Sequence, residues 1–357
     1  MKAWGALPGD DPERDRAETE AAIDAAGIDL DPLPPGHHRH DPDGEIHPDG
    51  HAHPHQQSGP GERPITGIVG GGAVGTALGV AMTRAGWPVH AVASRDPGRR
   101  ERFAASVEGA RPFAEPQALI EEVELIILAV PDDALPELAR SVRLYSGQAI
   151  IHTSGALGAD VLRPAMAAGT QVGAFHPLVA FADTERAIVA LRGATVAIEG
   201  DDQLAELLAD LADALGATAV RLAEGSKAAY HAAAVLAAGG FVALLDAIAE
   251  LGAAAGLDEA GALAVYGPLI EGTLGNARAL GIRQALTGPM TRGDLGTLQA
   301  HLAALHAHAP SVLPLYIAAG HREVALAFAR RALAPETAAA MHSSLDAALR
   351  GIGEAVP

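Results

Sequence analysis

Three glycines, Gly70, Gly72 and Gly75, stand in G-x-G-x-x-G spacing, and the chemistry this spacing serves is the binding of a pyrophosphate. The first glycine permits a tight turn and the second lets backbone approach the phosphate oxygens. The third lets the following helix pack close to the preceding strand. Ala73 and Val74 stand between the second and third glycines and belong to the same contact surface. An acidic residue at the end of the next strand would hold the ribose hydroxyl of NAD. That place reads Ala93-Ser94-Arg95, with Arg99 and Arg100 close behind. A hydroxyl and a guanidinium suit a 2′-phosphate, so NADP is the expected dinucleotide. Asp96 falls in Asp-Pro-Gly, which reads as a turn or a helix start.

The second chemical signal is lysine usage. The chain has 23 arginines and two lysines, Lys2 and Lys227. Arginine keeps its proton in a protein, whereas lysine can release one. Lys227 opens Ser226-Lys227-Ala228-Ala229-Tyr230-His231, where it can donate a proton to a carbonyl oxygen as hydride reaches the carbon. His231 lies four residues on, on the same helix face, and is expected to assist. Four further residues are candidates for substrate contact. Ser154 is a hydrogen-bond donor without the surroundings of a nucleophile, and His176 ends a strand. Asn276, the one asparagine in the chain, suits a substrate contact or equally a structural bond inside the helical domain, and Arg292 precedes Gly293-Asp294. Arg292 suits a substrate carboxylate; equally, Arg292 and Asp294 suit a helix cap with a salt bridge. His152 and His176 read either as core histidines or as site residues.

These residues need elements to carry them. Ile65 to Val69 is strand-like, a small-residue helix follows, Gly86 stops it, and Val89 to Val92 gives the next strand. Glu124 to Val130 is nearly all apolar, as a buried parallel strand is, and it ends at Val130-Pro131. Strands are also expected at 149–152, 172–175 and 194–198. Ligands in such sheets bind beyond the strand C-termini. Gly70–Gly75, Val130–Asp132, His152–Gly155 and His176–Pro177 should therefore converge. Val130 and Pro131 then join the cofactor contacts, with Ser94 and Arg95 at the 2′-phosphate. After about Asp201 the pattern becomes long Ala/Leu-rich helices, expected at 226–252, 258–280, 295–308, 312–320, 323–332 and 335–349.

The 357 residues include no cysteine, which excludes disulfides, thiolate metal sites and cysteine nucleophiles. A net charge of −19 argues against nucleic-acid and anionic-membrane partners. No run of about 18 apolar residues stands out, so the protein is expected to be soluble and cytoplasmic. Residues 1–62 carry 14 acids and 4 bases, 9 of the 24 prolines and 7 of the 16 histidines. This leader reads as disordered; loose Zn²⁺ or Ni²⁺ binding is its other reading. No metal site is expected in the body. The surplus apolar helical surface suggests a homodimer.

The blocks GIVGGGAVG, LAVPDDAL, HTSGALGADVL, GAFHPLVAF, SKAAYHAAAV and ALTGPMTRGD, in this order, resemble the Rossmann-like proteins with a C-terminal DUF2520 domain. The resemblance runs from about Ile65 to about Leu305. These proteins belong to the wider 6-phosphogluconate dehydrogenase-like superfamily, with ketopantoate reductase, pyrroline-5-carboxylate reductase and β-hydroxyacid dehydrogenases. The resemblance implies a helical second domain and a helix carrying Lys-x-x-x-Asn, here Lys227 and His231. It also implies a Ser-Gly-Gly substrate loop, here Ser154-Gly155-Ala156.

The expected architecture is α/β: a disordered leader (1–62), an NADP-binding Rossmann domain (63–200) and an all-helical substrate and dimerisation domain (201–357). The expected activity is NADPH-dependent reduction of a small carbonyl acid, 2-dehydropantoate to pantoate first, with Lys227 as proton donor. The alternatives are reduction of a cyclic imine of the pyrroline-5-carboxylate type and a non-catalytic NADP-binding regulator.

Overall fold

The protein is described by a computed structural model that covers residues 62–354, Glu224 excepted, with side chains to Arg350. The acidic His/Pro-rich leader, including the expected disorder and the metal-binding alternative, lies outside the described residues. The chain divides into two compact units, one ending at Val235 and one beginning at Leu236.

The first unit is built on an eight-stranded sheet, with strands β1 (Thr66–Val69), β2 (Val89–Ala93), β3 (Arg111–Phe113), β4 (Leu125–Leu128), β5 (Ala149–His152), β6 (Gln171–Pro177), β7 (Thr195–Glu199) and β8 (Thr218–Arg221). Their spatial order is β3-β2-β1-β4-β5-β6-β7-β8. β1, β4 and β5 are buried along their whole length. Apolar, β-branched runs of this kind are what a parallel strand needs when both its faces are covered. Helix α1 (Ala73–Arg84) packs seven buried residues, from Gly75 to Met82, against the sheet, and Gly86 stops it with φ +77°. Asp96 starts α2 (Pro97–Ser106) by accepting the Arg99 N–H, the helix start expected of Asp-Pro-Gly.

The first six strands are parallel, so their C-terminal ends share one edge. β7 runs antiparallel to β6, and β8 follows it in parallel. Register sets one row of residues straight across the sheet: Val69, Leu128, His152, Ala174 and Glu199. That row positions the site.

The sheet does not stop at residue 200, where the sequence pattern suggested a change of domain. α3 (Asp202–Ala214) and β8 complete it, and the unit runs on through α4 (Lys227–Val235). α3 reads as Ala/Leu-rich and so resembled the start of a helical domain. Its stripe Leu204, Leu208 and Leu211 is instead buried in the same apolar cluster as β1, β4 and β5. β3 and the short helix at Pro116–Ile120 were not legible. β3 is three residues long and pairs only at the sheet edge, which leaves no periodicity to read.

The described part of the second unit is helical. A π turn (Leu236–Gly240) opens it, followed by α5 (Phe241–Ala253), α6 (Glu259–Leu280), α7 (Leu295–His308), α8 (Leu313–Ala329) and α9 (Pro335–Glu354), with short helical turns at 282–285 and 289–292. Asp258 and Asp294 cap α6 and α7 through their carboxylates, as their positions predicted. The break expected between 320 and 323 is absent, and α8 is continuous. Gly320 is there for packing: a Cβ at that place would stand 3.0 Å from Leu345 Cδ2 of α9. Leu298, Leu302, Ile317, Val324, Met341 and Leu345 form the core of this unit.

α6 buries only Ala262 among its side chains. Leu269 is 67% exposed, and Leu236, Val242 and Leu274 are also exposed. Against the expectation of no long apolar run, one helical stretch among the described residues, Lys227–Ala253, is long and apolar enough to cross a membrane. Alanines spread over 27 residues give it that character, although Asp246 and Glu250 interrupt it.

Candidate functional site

The glycine loop has the shape its spacing implied. Gly70 has φ +117°, and a Cβ there would lie 2.1 Å from the Ala129 carbonyl oxygen. A Cβ on Gly75 would lie 2.0 Å from the Gly70 carbonyl oxygen, so α1 meets β1 at backbone distance. Gly72 differs: nothing stands within 4 Å of where its Cβ would be. No side chain caps the first turn of α1. Its N–H groups at Ala73, Val74 and Gly75 therefore face the open space in front of Gly72. These residues fit an anion held at a helix N-terminus, with Val130 and Pro131 beside them at the end of β4. At the end of β2, the Asp96 carboxylate is engaged by the Arg99 N–H and guanidinium. The Arg99 backbone bond, the largest influence on it, holds that carboxyl below its ordinary range. Arg100 holds the Ser94 carbonyl oxygen, while Arg95 is exposed.

Beyond β5 and β6 a second cluster forms. Lys227 begins α4 yet is buried, with 7% of its surface exposed. Its Nζ lies 2.9 Å from Glu199 Oε1. The contact is a close ion pair without hydrogen-bond alignment, which leaves the ammonium's N–H donors for another acceptor. Glu199 Oε2 accepts the Ala159 N–H at 2.7 Å. Sequence reasoning placed a strand here and overlooked its final residue. A carboxylate closing an apolar strand was the available signal.

The Ser154–Gly158 loop connects these parts. Ser154 Oγ accepts from Ala156 N and Leu157 N, which leaves its own proton to donate. A Cβ on Gly155 would stand 2.3 Å from His231 Nδ1 and 2.6 Å from His176 Nε2. The two imidazoles thus close over that glycine, edge to face at 5.6 Å, and Tyr230 packs edge-on against His176 at 5.8 Å. His231 was expected to assist by orienting the lysine or the substrate; its ring packs against His176, and Lys227 pairs with Glu199. Six buried side-chain nitrogen or oxygen atoms among the described residues lack a hydrogen-bond partner. Four of them lie here: Lys227 Nζ, His176 Nδ1, Tyr230 Oη and His231 Nδ1. Native proteins rarely leave such groups unmatched, so a cluster of them fits ordered water or a polar ligand. Burial pushes the Tyr230 phenol up to about 12, so it serves as a donor at neutral pH. Burial, then the neighbouring His231 and Lys227, pushes His176 down to about 4.

His152 resolves as a structural histidine. Its Nδ1 accepts the Ser154 N–H at 3.1 Å, so Nε2 carries the proton it donates to the Gly158 carbonyl at 3.1 Å. Burial pushes it down to about 4, against the opposing pull of the Gly158 bond. The folded pKa is depressed, so the unfolded chain takes up this proton first as pH falls. Stability from the neutral ring is complete above about 6.5 and declines as pH falls toward 4. The expected loss from His152 is about 2 kcal/mol between pH 7 and pH 5, and His176 adds in the same direction. Urea midpoints at the two pH values check this, and His152→Gln should shrink the difference. A Gly155→Ala variant is expected to lose about 1–3 kcal/mol by overpacking against His231 and His176. Thermal denaturation measures it.

Ser154, His176, Lys227 and His231 thus come together in the first unit. Asn276 and Arg292 belong to the second. Asn276 is exposed on α6, and Arg292 is exposed at the end of a short helical turn, two residues before the Asp294 cap. No group of three potential ligands for a metal ion occurs among the described residues.

Comparison with known proteins divides the chain earlier, between residues 177 and 194. A family model described as a Rossmann-like domain matches residues 53–177, and one described as a domain of unknown function, DUF2520, matches residues 194–323. The chain therefore carries a Rossmann-like domain followed by a DUF2520 domain, as its sequence blocks suggested. The DUF2520 match begins at β7 and so takes in both Glu199 and Lys227. No curated protein matches the chain in sequence. Among solved structures, a Bacteroides fragilis protein provisionally titled an NADP oxidoreductase aligns with TM-score 0.61 at 23% identity, over 73% of this chain and 98% of that one. A Thermotoga maritima protein aligns at TM-score 0.56 and 22% identity, covering 75% of this chain and 100% of that one. The 1-pyrroline-5-carboxylate reductase of Streptococcus pyogenes aligns at TM-score 0.54 and 16% identity, over 80% and 98%. At these identities the likeness is one of fold.

Proposed function

We propose that this protein is an NADP(H)-dependent oxidoreductase that reduces a small carbonyl acid. The observation that carries the reading is the buried Lys227–Glu199 pair, set among unpartnered polar atoms, with Glu199 in the same sheet row as Val69, where the glycine cradle begins. The family matches and the oxidoreductase titles of the fold neighbours support it. Gly70, Gly72, Ala73, Val74 and Gly75 would hold the pyrophosphate, with Val130 and Pro131 alongside. Ser94 and Arg95 would hold the 2′-phosphate that distinguishes NADP.

When bound, the reduced nicotinamide supplies a hydride. The chain's own residues supply the rest. Lys227 holds a proton at Nζ for the substrate oxygen as that oxygen takes up the carbon–oxygen π electrons. Hydride on carbon and proton on oxygen give the alcohol, and water recharges the lysine. Ser154 and Tyr230 offer hydroxyl donors, and His176 and His231 close the pocket over Gly155. Asn276 and Arg292 remain proposed substrate contacts.

We place 2-dehydropantoate first among substrates. The pocket presents an ammonium and hydroxyl donors, and its carboxylate is engaged by Ala159 and Lys227. It suits an oxygen-rich anion. The second reading, a cyclic imine of the pyrroline-5-carboxylate type, shares its fold with the streptococcal neighbour, but a protonated imine would meet the like charge of Lys227. The test is NADPH oxidation over a panel of 2-keto acids and cyclic imines, with NADH as control. Keto-acid turnover preferring NADPH supports the first reading. Imine turnover selects the second, and tight NADPH binding without turnover selects the regulator.

The exposed apolar surface of α5 and α6 suits a second copy of this chain better than a bilayer, because Asp246 and Glu250 would be costly in lipid. A cytoplasmic homodimer is the corresponding proposal. Light scattering should give twice the chain mass, and Leu269→Asp with Val242→Asp should halve it.

A further inference from the structure

We infer that Glu199 is the positioning residue that makes Lys227 usable as the proton donor. This inference rests on the reductase reading for what the lysine does, though not for how it is held. The carboxylate divides its oxygens between two jobs. Oε1 lies against Lys227 Nζ at 2.9 Å, and Oε2 takes the Ala159 N–H at 2.7 Å, directly after the Ser154–Gly158 loop. Backbone pairing fixes its place, since Glu199 pairs with Ala174, which pairs with His152. His152 grips the same loop at Ser154 N and the Gly158 carbonyl. The sheet row therefore holds the loop at two points and the lysine at one. Gly173 lets this row close up, for a Cβ there would stand 2.5 Å from the Glu199 carbonyl oxygen. An unpaired ammonium at a helix N-terminus would suffer both burial and the helix dipole. Glu199 offsets both and leaves the N–H donors off its own axis, available to a substrate oxygen.

The two-lysine composition gives a test that does not need turnover. Trace acetylation of the full chain with acetic anhydride, read by mass spectrometry, compares Lys227 with Lys2 as internal reference. Glu199→Gln keeps an acceptor for Ala159 and removes the charge. It is expected to raise Lys227 labelling relative to Lys2 by about tenfold, the effect of withdrawing one adjacent opposite charge. With a substrate that the wild type reduces, Glu199→Gln should lower kcat about tenfold and increase the solvent deuterium isotope effect, with the Kd for NADPH unchanged. Glu199→Asp should restore most of kcat and bring Lys227 labelling back toward the wild-type level, which a purely structural role would not predict. Unchanged labelling in Glu199→Gln overturns the inference, and so does raised labelling with wild-type kcat. If the wild type reduces nothing in the panel, the reductase reading fails and labelling alone still decides what Glu199 does.

Discussion

Replacing Lys227 by alanine is expected to lower kcat/KM for the keto-acid substrate by about 10²–10⁴-fold, the range for loss of a positioned general acid. Lys227 is the buried end of an ion pair in the first unit, within reach of the His152 and His176 fields, and it has hydrogen-bond donors to spare. The glycine cradle lies at the end of β1, and β4, β5 and β6 stand between that strand and β7, which carries Glu199. The Kd for NADPH should therefore stay within about twofold, because no phosphate contact changes. Folding should suffer only modestly, since Glu199 keeps the Ala159 N–H as a partner. Lys227→Arg should not rescue turnover, because a guanidinium does not surrender its proton. Steady-state rates and NADPH fluorescence titration on the two variants separate these outcomes. Wild-type turnover in Lys227→Ala would remove the lysine from the mechanism and leave the histidines and Tyr230 as the available donors.

The legible part of this fold is the part written in local pattern. Glycine spacing fixed by backbone contacts, the apolar parallel strands and the aspartate caps all repeat physical rules that act over a few residues. They stand where the sequence placed them: Gly70 against Ala129, Asp96 on Arg99, Asp258 on Gly261. Lys227 was legible through composition, as one of two lysines in a chain that otherwise uses arginine. What escaped was long-range. β7 reverses direction and β8 rejoins it, and no local signal records either event. Gly320 looked like a helix break and is instead the close approach of α8 to α9. The same limit applied to the site. Glu199 is 28 residues from Lys227 and 40 from Ala159, so only the sheet register could bring the three together. Tyr230 enters the site through its contact with His176, which no local pattern around His231 records. His152 and His176 looked alike as strand-end histidines, and their hydrogen bonds separate them. One ring has both nitrogens satisfied, and the other leaves Nδ1 bare.

The glycine loop offers the sharpest division between folding and binding. Gly75→Ala would drive a methyl to 2.0 Å from the Gly70 carbonyl oxygen, and backbone cannot rotate out of the way. α1 would have to lift from β1, carrying Leu78 and Met82 out of a core in which both are fully buried. The expected cost is about 3 kcal/mol or more, at the upper end for overpacking, and NADPH binding goes with it. Gly72→Ala is the contrasting case. Its backbone, φ −84° and ψ −169°, suits alanine, and the new methyl enters open space. Stability should match the wild type within about 0.5 kcal/mol, as for a substitution that disturbs no contact. If a pyrophosphate occupies that space, the methyl displaces it, and NADPH affinity should fall by about 100-fold through lost backbone contacts. Thermal denaturation with and without NADPH reads both quantities in one experiment. A ligand-induced rise in Tm for the wild type that vanishes in Gly72→Ala, while the unliganded Tm is unchanged, places the phosphates at the second glycine. An undiminished rise would put the dinucleotide elsewhere and take the cofactor half of the proposed function with it.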